Sequence, residues 1–222
     1  MRTGREAPRK SRSSRNLNLL QQHQRQQQQQ QQNRTNRLTA AAPSVEEPLS
    51  FRAVVGRPLE TSVKVFGSAD WREEAVSDIR RAQCVVIGSY LFDAEDIQKA
   101  LLAELRRRGK DFRCAVIVDE GMHNSGGCRR QKPMLKTLKE AGARIFLARG
   151  QHGGGRMSKY PGSFHVKCMV LDSRIAFVGS SNFTEASMKN WEMVLRVTGS
   201  AVTDMGDILK EAMSSNSTTH FN

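Results

Sequence analysis

A histidine and a lysine stand two residues apart in the stretch SFHVKCMVLDSRIAFVGSSNF, Ser163 to Phe183, on a run that is otherwise mostly apolar. Both His165 and Lys167 suit a phosphodiester. The ammonium can hold a non-bridging oxygen, and a neutral imidazole has a lone pair that can attack phosphorus to give a phosphohistidine. Ser180 and Asn182 add a hydroxyl and a carboxamide, which donate hydrogen bonds to developing charge. This chemistry calls for no metal and no cofactor. Each residue alone has a plainer explanation: a single His on a strand is more often packed or on the surface, and a single Lys there usually snorkels to water.

The elements around these residues must bring them together. Side chains alternate across a strand, so His165, Lys167, Met169 and Leu171 share one face, and Phe164, Val166, Cys168 and Val170 share the other. The two cationic groups then lie roughly 7 Å apart along the strand. A two-residue turn at Ser173-Arg174 would return the chain as a second strand, Ile175 to Gly179, with Asp172 facing Ile175. In that register Lys167 faces Ser180 and His165 faces Asn182. A slip of one residue would break the pattern.

From about Leu49 the sequence alternates strand and helix signals. Thr61–Phe66, the apolar run Cys84–Ser89 (CVVIGS), Arg113–Val118 and Arg144–Leu147 read as strands. A helix starts at about Asp70, where Asp70 and Glu73 have capping spacing and Trp71, Ala75 and Ile79 form one stripe. A second, about Ala94–Arg108, carries Ile97, Leu101 and Leu105 and stops at Gly109, and a third runs Met134–Ala141 to Gly142. Such alternation predicts an α/β layer around a largely buried sheet. Asp119–Lys132 and Arg149–Gly162 read as loops rich in Gly and basic residues (Arg129, Arg130, Lys132, Arg156, Lys159), equally suited to substrate contact and to plain connection.

The net charge of +13 is unevenly spread: residues 1–40 hold nine Lys/Arg and one acid, and the remainder holds 26 Lys/Arg against 21 acids. With its glutamine run Gln21–Gln32 and few apolar residues, the segment 1–48 is expected to be a disordered tail, and 49–222 the folded domain. An Arg- and Ser-rich, acid-poor start fits a mitochondrial or other organelle transit peptide, a solvated tail of a cytoplasmic protein, or a basic arm on nucleic acid or anionic lipid. No segment approaches the roughly 20 apolar residues of a transmembrane helix. The four cysteines, Cys84, Cys114, Cys128 and Cys168, have no CxxC spacing and read as free thiols, three of them in strand-like runs. His123 and Cys128 are two ligand types in one loop, short of the four a structural zinc site uses.

Taken together, His165-x-Lys167-x4-Asp172-x6-Gly179-Ser180-x-Asn182 fixes six positions, a combination expected by chance in a chain this long only about a few times in a million. The segment resembles the HKD signature of the phospholipase D superfamily, including its Gly-Ser-x-Asn, and Asn190–Glu192 (NWE) resembles the family's Asn-x-Glu element. The resemblance implies a phospholipase D-like α/β fold, a mixed β-sheet flanked by helices, and a metal-independent phosphoric diester hydrolase. It assigns His165 as nucleophile, Lys167, Ser180 and Asn182 as phosphate ligands, and Glu192 as the carboxylate that orients His165. Asp172 is the motif's acid, and its place at the turn suggests a structural role. Family chemistry uses two histidines, whereas one motif is present here. The short single-motif members, the bacterial Nuc-type endonucleases and the mitochondrial cardiolipin hydrolases, imply a homodimer sharing one active site. A phospholipid substrate, with peripheral contact on an anionic membrane, is the leading expectation. An endonuclease using Arg106–Arg108, Arg129, Arg130 and Lys132 as a basic groove is the alternative, and an inactive binding scaffold is a third.

Overall fold

The computed structural model describes residues 60–67, 70–126, 128–150 and 162–221. The tail 1–48 and residues 151–161, with His152, Arg156 and Lys159, lie outside the described residues. In chain order the elements are β1 (Ser62–Gly67), α1 (Trp71–Arg81), β2 (Cys84–Ser89), α2 (Glu95–Arg108), β3 (Arg113–Asp119), α3 (Glu120–Ser125), α4 (Gln131–Glu140), β4 (Arg144–Ala148), β5 (Lys167–Leu171), β6 (Ile175–Gly179), β7 (Met193–Thr198), α5 (Ala201–Ser214) and β8 (Thr218–His220). The eight described strands form one sheet in the order β1-β7-β6-β5-β2-β3-β4-β8. Strands β2, β3 and β4 run parallel, and the remaining pairings are antiparallel.

Helices cover both faces of this mixed sheet, which explains why CVVIGS shows no alternation: β2 is buried at every position. On one face the apolar stripes of α1 and α2 (Trp71, Ala75, Ile79; Ile97, Leu101, Leu105) pack with Val85, Ile87, Met169 and Phe177. Trp71 meets Phe183 edge-on at 5.3 Å between ring centroids. On the other face Val202 and Leu209 of α5 pack with Val86, Phe164, Cys168 and Val170. Met169 and Leu171 thus pack on the first face and Phe164, Cys168 and Val170 on the second, as the expected alternation requires of these apolar residues.

Three local expectations fail. Asp70 occupies the N-cap of α1 but makes no side-chain cap bond, because its backbone is already helical (φ −62°, ψ −24°) instead of extended. Asp119 has the extended cap geometry, and its carboxylate accepts from Met122 N at 2.8 Å. That cap starts α3 inside a stretch expected to be loop, and α4 begins at Gln131, before the expected Met134. Among the described residues no helix is long and apolar enough to cross a membrane.

Candidate active site

The residues singled out by type gather at one end of the sheet. This is the end where parallel strands β2, β3 and β4 finish, the usual place for a site in an α/β layer. Strand β5 begins at Lys167, which pairs with Ser89, the last residue of β2. His165 therefore lies just ahead of the strand instead of within it. Two backbone bonds hold its segment: Phe164 N donates to Asp119 Oδ2 at 2.8 Å, and Tyr90 N donates to Val166 O at 3.0 Å. Asp119 is buried and spends its other oxygen on the α3 cap, so one carboxylate fixes both the end of β3 and the start of the histidine segment.

Within this frame Lys167 Nζ lies 3.3 Å from Nδ1 and 3.2 Å from Nε2 of His165. It also donates to the backbone oxygen of His165 at 3.2 Å. The imidazole stands edge-on to Tyr90 at 4.7 Å between centroids, and the ammonium sits 5.4 Å from the same ring. Partial burial lowers the Lys167 pKa below the ordinary lysine value, and the nearby Glu192 charge acts the other way. His165 remains exposed. It forms part of the wall of a cavity of about 470 Å³ lined also by Phe164, Val166, Ile208 and Ala212.

The hairpin that brings Ser180 close has a different register from the one expected. Cys168 pairs with Val178 and Leu171 with Ile175, so the turn has three residues, Asp172–Arg174, and the ladder is shifted by one. Asp172 and Ser173 adopt left-handed backbone (φ 53° and 54°), and Arg174 N closes on Leu171 O at 2.9 Å. Short polar side chains tolerate this conformation, which makes Asp172-Ser173 the central pair in place of Ser173-Arg174. The Asp172 carboxylate accepts from Gln83 N at 2.9 Å and Cys84 N at 2.7 Å. It lies at the opposite end of β5 from His165 and ties the hairpin to the start of β2.

As a result, Lys167 comes opposite Gly179 and not Ser180. A Cβ on Gly179 would lie 2.1 Å from Met193 O, so only glycine lets β6 and β7 approach this closely beside the lysine. Ser180 then bridges the two strands: its N donates to Met193 O at 3.0 Å, and its Oγ accepts from Met193 N at 3.1 Å while donating to Glu192. Glu192 accepts also from Asn190 Nδ2 at 3.3 Å. No hydrogen bond joins Glu192 to His165 within the chain, contrary to the orienting role implied by the resemblance. Asn182 does not bond to His165, Lys167 or Ser180, and its Oδ1 is buried without a partner.

The basic residues divide between the two ends of the molecule. Helix α2 starts beside Phe183, whose carbonyl accepts from Ala94 N at 2.9 Å, and ends before β3 begins. Arg106–Arg108 therefore sit at the end remote from His165, and Arg107 and Arg108 pair with Glu104. They do not line a groove at the site. Arg129, Arg130 and Lys132 are exposed around the start of α4, at the site's end of the sheet, and Arg130 pairs with Glu95 at 3.0 Å.

His123 and Cys128 are engaged separately. His123 is buried with Nδ1 3.3 Å from Gln131 Nε2, and the Cys128 thiol lies 3.3 Å from Asp93. Among the described residues no group of three His, Cys, Asp or Glu is placed to hold a metal. The cysteines are free thiols, and burial raises the pKa of Cys84 to about 11 and that of Cys168 to about 12. Sequence reasoning missed Tyr90 and Asp119. Each follows or ends a buried apolar strand at the same sheet end, and that position was the available signal.

The family model described as "Cardiolipin synthase, PLD-like domain" matches residues 75–211, more than half of the 222-residue chain. The chain belongs to the PLD-like domain family of the phospholipase D superfamily. Its fold is similar to that of Nuc, a phospholipase D family member from Salmonella typhimurium, at 22% identity and TM-score 0.58, covering 73% of this chain and 99% of that one. NucT from Helicobacter pylori is similar at 21% identity and TM-score 0.60, over 73% of this chain and 100% of that one. Phosphatidylserine synthase from Haemophilus influenzae is similar at 15% identity and TM-score 0.52, over 75% and 41% of the two chains. None of the curated proteins compared matches the sequence.

Proposed function

We propose that this protein is a phosphodiesterase of the phospholipase D type that acts through a phosphohistidine on His165. The observation that carries this reading is the contact of the Lys167 ammonium with the ring of His165 at an exposed sheet end, beside Ser180 and Glu192. The lone pair of a His165 ring nitrogen attacks phosphorus, and the P–O bond to the leaving group breaks. The leaving oxygen takes a proton from a second histidine. Water then attacks the phosphohistidine, returns a proton to that second histidine, and the P–N bond breaks to restore the ring. Lys167 stabilises charge on the non-bridging oxygens, with Ser180 and Asn182 donating once substrate displaces their present arrangement. Asp172 acts at a distance, by holding the hairpin.

The second histidine comes from a second copy of the chain in a homodimer that shares one site. Glu192 is not bonded to His165 of its own chain, and the second copy's ring is the one it orients. Phospholipid is the favoured substrate class, since Arg106–Arg108 stand away from the site. Single-stranded nucleic acid is the second reading, favoured by the exposed Arg129 and Lys132 at the site's end. The deciding experiment incubates the protein with cardiolipin, phosphatidylcholine, single-stranded DNA and RNA, each with EDTA in excess. Lys167 and Asn182 supply the charge stabilisation, so hydrolysis of one class is expected to persist in the chelator. Activity lost in EDTA and restored by a divalent ion would point to a metal-assisted mechanism instead.

A further inference from the structure

The ring of a histidine turns about a broad terminal torsion, so the direction in which its nitrogens point is set by what packs against it. Among the described residues of its own chain, the His165 imidazole has one polar neighbour, the Lys167 ammonium, and one ring neighbour, Tyr90. The ammonium lies 3.3 Å from one ring nitrogen and 3.2 Å from the other, and so favours neither. Tyr90 is different: its ring stands at 61° to the imidazole with 4.7 Å between centroids, an edge contact that defines a plane. The same ring has the Lys167 ammonium over it at 5.4 Å, where its face attracts the cation. Both contacts are made by the ring, and neither uses the hydroxyl.

Tyr90 is itself held on both sides. Its backbone N donates to Val166 O at 3.0 Å, which ties it to the residue after His165. Ser89, before it, is buried at the end of β2, and its Oγ donates to Leu91 O while accepting from Phe183 N at 3.4 Å. Phe92, two residues on, is buried, and its N donates to Gln131 Oε1 at 2.8 Å. A half-buried ring in a loop so fixed has little freedom to follow the imidazole. We propose that Tyr90 is a positioning residue: its ring, packed against His165 with Lys167 over it, holds the nucleophilic imidazole and the phosphate-binding ammonium in one arrangement. The proposal rests on the phosphodiesterase reading of the site. Two other roles make different demands. A hydroxyl that bonds the phosphate needs the Tyr90 oxygen, and a ring that stacks on a substrate base acts on substrate binding.

Bis(p-nitrophenyl) phosphate isolates the attack by His165, because its phenolate leaves with the electron pair of the broken P–O bond and needs no proton from a second histidine. In stopped flow with the full-length protein, Tyr90→Leu should slow the first release of p-nitrophenolate at saturating substrate by roughly 10- to 100-fold, the cost of a small misplacement of a reacting group. The half-saturating concentration should stay unchanged. Tyr90→Phe keeps the ring and should match the wild type. Tyr90→Met, which keeps bulk without a ring, should fall as far as Tyr90→Leu and serves in its place if the leucine variant does not fold by circular dichroism. The proposal is overturned if the aliphatic variants keep the wild-type rate, if Tyr90→Phe falls with them, or if the loss is in half-saturation alone. Failure of both aliphatic variants to fold would assign Tyr90 to packing and overturn it equally. His165→Ala separates the two levels: a wild type that releases no p-nitrophenolate, or releases it undiminished in His165→Ala, overturns the phosphodiesterase reading and the proposal with it.

Discussion

A ring nitrogen that is to attack phosphorus must hold a lone pair, and the Lys167 ammonium, which can only donate, lies within 3.3 Å of both nitrogens of the His165 ring. His165→Ala should therefore abolish turnover of any diester substrate. Because His165 is exposed and fills no core volume, circular dichroism of the variant should match the wild type. An unfolded variant would assign the histidine to packing. Lys167→Met should cost roughly 10²–10³ in kcat, the range seen when one charge-stabilising donor is removed. With one histidine needed neutral and its counterpart protonated, the rate should be bell-shaped in pH. A flat profile from mildly acid to mildly alkaline pH would count against the pair. These two residues and Ser180 were legible in the sequence because the motif is local. The bonds made by Glu192 and Asn182 were not, because a one-residue change in turn length decides which groups meet.

Among the elements, the β5–β6 hairpin is the one whose geometry depends on a single carboxylate. Asp172 accepts from two backbone N–H groups of residues 83 and 84 while standing at positive φ. Asp172→Ala removes a charged acceptor, places alanine in the left-handed region, and should destabilise the fold by about 2–4 kcal/mol. Asp172→Asn should recover part of that. Denaturant unfolding measures both, and an unchanged midpoint for the alanine variant would refute the tether. A second link joins the loop after β2 to α3 and α4: Gln131 Oε1 accepts from Phe92 N at 2.8 Å, which turns its amide nitrogen toward His123 Nδ1 at 3.3 Å. That nitrogen can accept only while His123 is neutral. Burial, reinforced by Lys132 and opposed by Glu120, lowers the His123 pKa below its ordinary value near 6.5. The unfolded chain thus binds the proton first as pH falls through about 6.5, and folded stability drops with it. His123→Gln should show a shallower loss of stability between neutral and mildly acid pH, and equal slopes would show that the histidine is not the sensor. Strand and helix order from β1 to β4 was legible because each apolar run or stripe reports its own burial. Helix α3 was not, since EGMHNS has no apolar stripe and depends on the Asp119 cap.

At the scale of the whole molecule, the family's two-histidine chemistry has to be reconciled with the single motif in this chain. No other histidine of the described residues substitutes within the chain: His123 is buried against Gln131 and Phe221, and His220 pairs with Phe146 on the β4–β8 side of the sheet. In the proposed homodimer a two-fold axis would supply the missing group by placing identical residues together. Activity should then follow dimer concentration and vanish in the monomer, however well folded. Mixing separates the shared site from independent subunits more sharply than dilution does. With equal amounts of wild type and His165→Ala and random exchange, about a quarter of the dimers keep both histidines, and excess variant should suppress activity beyond simple dilution. Each mixed dimer has a nucleophile without an acid or an acid without a nucleophile. If activity fell only in proportion to the wild-type chains present, each subunit would carry a complete site. The acid would then have to be found within the chain.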